Sequence, residues 1–101
     1  MKYVISWTNR DVAAGSEESG KRLLSVFGQW TPSAGATFHQ FLGRVDGNGG
    51  FAVVETDDAT DILRDVSKFL PWLRYEVTPV VDVQEVAVAA SEALAFWDSV
   101  S

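Results

Sequence analysis

The single histidine of the chain, His39, belongs to the one residue type that ordinarily titrates near neutrality, and it sits in the apolar run Phe38-His39-Gln40-Phe41. If Val45 pairs with Phe51 across the Asp46–Gly50 turn, then His39, Phe41 and Gly43 share a sheet face with Val53 and Glu55. A histidine beside a carboxylate on an apolar wall suits general acid–base work, with His39 transferring the proton and Glu55 orienting it. His39 is then expected to line a cavity. The alternative is a structural histidine, hydrogen-bonded to a neighbour or to a partner subunit.

Four tryptophans in 101 residues also stand out. Their rings can wall a flat aromatic ligand or anchor a core or interface. Trp7, at the open end of the first strand, is the pocket candidate; Trp30 and Trp97 are candidates for core or dimer contacts. Arg44, beside the turn, and Tyr75 are placed to orient a carboxylate or a phenol. Their bland counterparts are a solvated rim residue and a packed tyrosine.

Other patterns carry less chemistry. Gly47-Asn48-Gly49-Gly50 leads into a strand and not into a helix, so it reads as a turn and not as a phosphate cradle. Its glycines and asparagine tolerate positive φ, with Asn48 a candidate left-handed residue. One histidine and no cysteine make no usual structural zinc site, so neither metal nor cofactor is expected. Ser6 has no nucleophile elbow around it. Asp57, Asp58, Asp61 and Asp65 form an acidic cluster that suits a solvated first helical turn better than a weak cation site.

The elements that must position these residues follow from periodicity and punctuation. Tyr3 to Thr8 is β-branched and aromatic and predicts a strand. A loop follows from Asn9 to Gly15. Ser16 caps a helix from Glu17 to Gln29 carrying Leu23, Leu24 and Phe27, with Trp30 continuing the spacing, and Thr31-Pro32 stops it. Ala36–Val45 and Phe51–Thr56 are strands joined by the glycine-rich hairpin. Asp57 or Asp58 caps a second helix whose Ile62, Leu63, Val66, Phe69 and Leu70 form an apolar stripe ending at Pro71. Arg74–Val81 is a fourth strand, part of which Pro79 demotes to an edge or a bulge. Asp82 with Glu85 opens a last helix to about Asp98, bearing Val83, Val86, Ala87, Ala90, Leu94 and Trp97.

This order is β-α-β-β-α-β with an appended helix, which predicts a split βαβ, or ferredoxin-like, antiparallel sheet with both helices on one face. Residues 1–101 are expected to form a single α+β domain. The first three strands are apolar on both sides, so the far face needs a second layer, and an isologous homodimer supplies it most simply.

Composition narrows the function. With 47% hydrophobic and 22% charged residues the chain is neither disordered nor a coiled coil. Fourteen acidic residues against eight scattered basic ones give a net charge of −6, which disfavours nucleic acid and anionic membranes. The apolar start is too short for a signal sequence and no run approaches a membrane span, so a soluble, cytoplasmic protein is expected.

The run Met1 to Thr8, then Trp30-Thr31-Pro32, Phe38-His39-Gln40-Phe41, Asp46-Gly47-Asn48-Gly49-Gly50, Phe51 to Asp57 and Pro79-Val80-Val81-Asp82-Val83, resembles a small bacterial family known as a domain of unknown function. That family is placed with the dimeric α+β barrel superfamily. The resemblance covers nearly the whole chain and implies a fold and a dimer. It implies no particular activity, since that fold serves cofactor-free monooxygenases, haem-degrading enzymes, isomerases and cyclases alike.

Two functions follow. One is a small dimeric ligand-binding protein or cofactor-independent enzyme, acting on an apolar, aromatic or acidic-oxygen molecule. Its pocket would be formed by Trp7, His39, Phe41, Glu55, Arg44 and Tyr75. The other is a non-catalytic structural or regulatory dimer whose apolar faces are spent on packing.

Overall fold

A computed structural model of the chain describes residues 1–10 and 16–100. Its elements are β1 (Lys2–Asn9), α1 (Glu17–Gln29), β2 (Thr37–Gly43), β3 (Gly50–Glu55), α2 (Thr60–Ser67), β4 (Leu73–Val80) and α3 (Val83–Ser99). The expected loop over residues 9–15 lies mostly outside the described residues, and Asn9 itself closes β1. The four strands form one sheet in the order β2-β3-β1-β4, with every neighbouring pair antiparallel. The chain is therefore an α+β, ferredoxin-like unit with a C-terminal helix. Pro79 lies on β4, an edge strand, where a missing N–H costs the ladder little.

Local chemistry explains most element ends. Ser16 caps α1, its Oγ accepting from the Ser19 N–H at 3.0 Å, and Glu17 and Glu18 meet the positive end of the helix dipole. In the hairpin, the positive φ falls on Gly47 (75°) and Gly49 (122°) and not on Asn48, whose backbone N–H donates to Asp46 Oδ1 at 2.9 Å. Gly49 has a second reason to lack a side chain. A Cβ there would fall 1.9 Å from the Trp7 carbonyl oxygen.

Three helix expectations need correction. Ala59, not an aspartate, is the α2 N-cap; Asp58 instead accepts from the Thr60 N–H at 2.9 Å as a local turn. Asp82 is the α3 N-cap but makes no side-chain capping bond. The α2 stripe also splits: Ile62 and Phe69 are buried, whereas Leu63 and Leu70 are exposed.

The core is small. Ile5, Ala52, Val54 and Ile62 are buried together, with Tyr3, Trp7, Phe38, Val66 and Tyr75 packed around them. The pairing Ile5↔Ala52 and Phe38↔Val54 puts this cluster on the helix side of the sheet. No described element covers the opposite side, and Phe51 and Leu42 lie there about half exposed (47% and 54%).

Candidate functional site

A cavity of about 590 Å³ lies between the helix side of the sheet and the α1 and α2 layer. Strand alternation supplies its floor: Ile5 and Trp7 from β1, Ala52 and Val54 from β3, Phe41 and Gly43 from β2, and Tyr75 from β4. Its roof is Leu23 and Phe27 of α1, Trp30 just beyond, and Ile62, Val66 and Phe69 from α2 and the turn after it. The hairpin glycines Gly47 and Gly49, with Asn9, line the end nearest the turn. Asn9 Nδ2 donates to the Gly47 carbonyl at 3.2 Å and ties that end together.

The aromatic rings hold one another mostly edge to face. Trp7 meets Phe41 at 5.4 Å and 89°, and Trp30 meets Phe69 at 5.4 Å and 88°. Trp30 also contacts Phe38 and Phe41, at 5.8 and 6.2 Å. Positive ring edges against negative faces favour this arrangement and fix the wall as a unit. Trp7 packs close against Gly50, its partner on β3: a Cβ at Gly50 would come within 2.4 Å of the indole.

Trp30 is positioned by a carboxylate. Asp65, buried on α2, accepts from Trp30 Nε1 at 3.3 Å, from the Ser33 N–H at 3.1 Å and from Ser33 Oγ at 3.1 Å. Asp61, one turn earlier and also buried, accepts from Thr56 Oγ1 and Arg64 Nη1, both at 2.9 Å. The expectation of a solvated acidic first turn is thus overturned for these two residues. They fasten the segment after α1, and the end of β3, to α2. No metal-like group of carboxylates and histidine occurs among the described residues.

Tyr75 is the polar group of the floor. Burial pushes its phenol up to about 12, so it stays neutral and keeps its proton throughout the physiological range. Among the described residues the hydroxyl has no hydrogen-bond partner, and Tyr75 lines the cavity. A neutral donor in an apolar cavity can orient one acceptor atom of a ligand.

The sequence-predicted residues divide into three places. Trp7, Phe41 and Tyr75 come together in the cavity. His39 and Glu55 also meet, Nε2 to Oε1 at 2.7 Å, but on the open side of the sheet, with side chains 42% and 48% exposed. The His39 hydrogen bond, helped by Lys2 and the N-terminal ammonium, holds the Glu55 carboxyl below the usual glutamate value. Arg44 is in neither place, pairing with Asp46 inside the hairpin turn.

Two expectations about His39 therefore fail for one reason. The hairpin pairs Gly43 with Gly50 instead of Val45 with Phe51, and the register of β2 shifts at a β-bulge between Phe38 and Gln40. The extra residue lets Phe38 and Phe41, three apart, both face the helices, and it turns His39 outward onto the side of Glu55. His39 does not share a face with Phe41 and does not line the cavity.

Sequence reasoning missed Trp30, Phe27, Phe38 and Phe69 as cavity residues. The signal was present in the α1 stripe, whose Phe27 and Trp30 sit one turn apart and end on the same face.

An antiparallel four-stranded sheet with two helices over one face and an aromatic cavity between them defines a ferredoxin-like α+β protein with a preformed pocket. Within that class, the family model described as a domain of unknown function (DUF3303) matches residues 1–94, and the chain belongs to that family. No curated protein matches it.

Proposed function

We propose that this protein is a homodimer that binds a small, uncharged, largely aromatic molecule carrying one hydrogen-bond acceptor. The observation that carries this reading is the cavity of about 590 Å³, within the range of small-molecule sites and walled by aromatic rings around a phenol that no other described residue bonds. Among the described residues, the titratable side chains lining it are Asp65 and Tyr75. Asp65 is occupied by three donor groups, and its charge disfavours an anionic ligand. With His39 and Glu55 on the far side of the sheet, binding is better supported than acid–base catalysis of a cavity ligand. The homodimer rests on the uncovered apolar side of the sheet.

Isothermal titration with 2-naphthol, which is flat, neutral at pH 7 and bears one hydroxyl, tests the binding. Saturable heat at one molecule per chain supports it. Absence of binding up to the solubility of 2-naphthol favours a dimer that uses its apolar surfaces for packing alone.

A further inference from the structure

The helix α3 is the most exposed of the described helices: every one of its residues except Ala93 is exposed. None of its residues is buried, and Val83, Val86, Leu94, Phe96 and Trp97 are each more than half exposed. It leaves β4 through Val81 and Asp82, and the extended backbone of Asp82 (φ −63°, ψ 147°) carries it away from the sheet. Seventeen residues make a helix of about 25 Å, and the chain reaches 65 Å along its longest axis. An isolated helix of this length is marginal in water, so its stability has to come from packing.

The whole-chain dimensions say how much packing is missing. The radius of gyration is 18.2 Å, against about 13 Å for a folded domain of this length. The chain exposes 7292 Å², about 1,700 Å² more than the ~5,600 Å² of a compact 11.0 kDa monomer. Two chains each hiding that excess would bury about 3,400 Å² together, inside the range of obligate homodimers.

We infer that α3 is an exchanged arm: its apolar stripe Val83, Val86, Ala90, Leu94 and Trp97 packs on the body of a second copy of this chain. The inference rests on the homodimer proposed above and names the surface that makes it. A second copy fits because each chain holds both unpartnered surfaces, the helix and the open side of the sheet, and a twofold axis satisfies both at once. The body and not the partner's α3 is the receptor, because the charged residues of α3 are Glu85, Glu92 and Asp98, all acidic. Two such helices side by side would set acid against acid, whereas the open side of the sheet carries Lys2 and Arg74 beside Glu55 and Glu76 and so presents both signs.

Sedimentation equilibrium on the full chain and on Leu94→Glu tests this. The wild type is expected at twice 11.0 kDa and the variant at 11.0 kDa, with 2-naphthol titration unchanged, since the cavity lies within one chain. A monomeric wild type overturns the homodimer itself. A dimeric Leu94→Glu variant overturns the arm and leaves the homodimer standing, and an unfolded one overturns the arm by placing α3 in its own domain. As a second measurement, the chain lacks cysteine, so Val86→Cys takes a single nitroxide label. The label is expected to be immobilised in the otherwise wild-type chain and freed when Leu94→Glu is added; a label equally mobile in both also overturns the arm.

Discussion

Gly43 offers a way to fill the cavity without touching the fold. It ends β2 on the helix side, lines the cavity, and has nothing within 4 Å of where a Cβ would stand. Its φ is not positive, so a larger residue meets no backbone strain. Gly43→Phe adds seven carbons beside Phe41 and Trp7, directed into the space a ligand would occupy. Glycine within a strand costs ~0.5–1 kcal/mol relative to alanine, and an aromatic residue suits a pleated surface. The variant is therefore expected to be as stable as the wild type or more stable by up to ~1 kcal/mol, read from urea unfolding. Binding of 2-naphthol should weaken at least tenfold, corresponding to ~1.4 kcal/mol. A destabilised variant would show that the space is not there. A stable variant with undiminished affinity would show that the ligand binds elsewhere.

Four further predictions follow from individual contacts. Tyr75→Phe should leave stability unchanged, because no described residue bonds the phenol, and weaken 2-naphthol by ~1 kcal/mol, about fivefold in titration calorimetry. Asp65→Ala removes the acceptor of Trp30 Nε1, the Ser33 N–H and Ser33 Oγ, and should cost ~2–3 kcal/mol in urea unfolding. Gly49→Ala combines a φ of 122° with a Cβ lying against the Trp7 carbonyl, and should cost ~2 kcal/mol or more, where Asn48→Ala costs no more than ~0.5 kcal/mol. His39→Gln changes pH dependence: Glu55 is held below 4.5 chiefly by His39, so its contribution is present above the unfolded-state value and lost as pH falls through the lower folded-state one. The variant should lose less stability than the wild type between pH 5 and ~3, with 2-naphthol affinity unaltered.

The fold was legible because its signals are local. The capping serine at 16, the proline at 32 and the glycines of the hairpin mark boundaries through the backbone chemistry of one or two residues, and α1 and the four strands lie within two residues of where those signals put them. The candidate site was legible only in part. Trp7 and Tyr75 could be placed because β1 and β4 alternate without interruption. His39 could not, because one bulged residue inverts the face of everything before it in β2, and no composition cue separates a bulge at Phe38–Gln40 from a regular strand. The burial of Asp61 and Asp65 was likewise hidden. It depends on Thr56, Ser33 and Trp30 arriving from distant parts of the chain to supply donors.

The most direct test of the central claim is the position of the bound probe. With 2-naphthol at saturation, intermolecular nuclear Overhauser effects should connect its ring protons to the side chains of Trp7, Phe41 and Tyr75, on the helix side of the sheet. Contacts instead to Leu42, Phe51 or His39, on the open side, would contradict the account and make the uncovered sheet the binding surface.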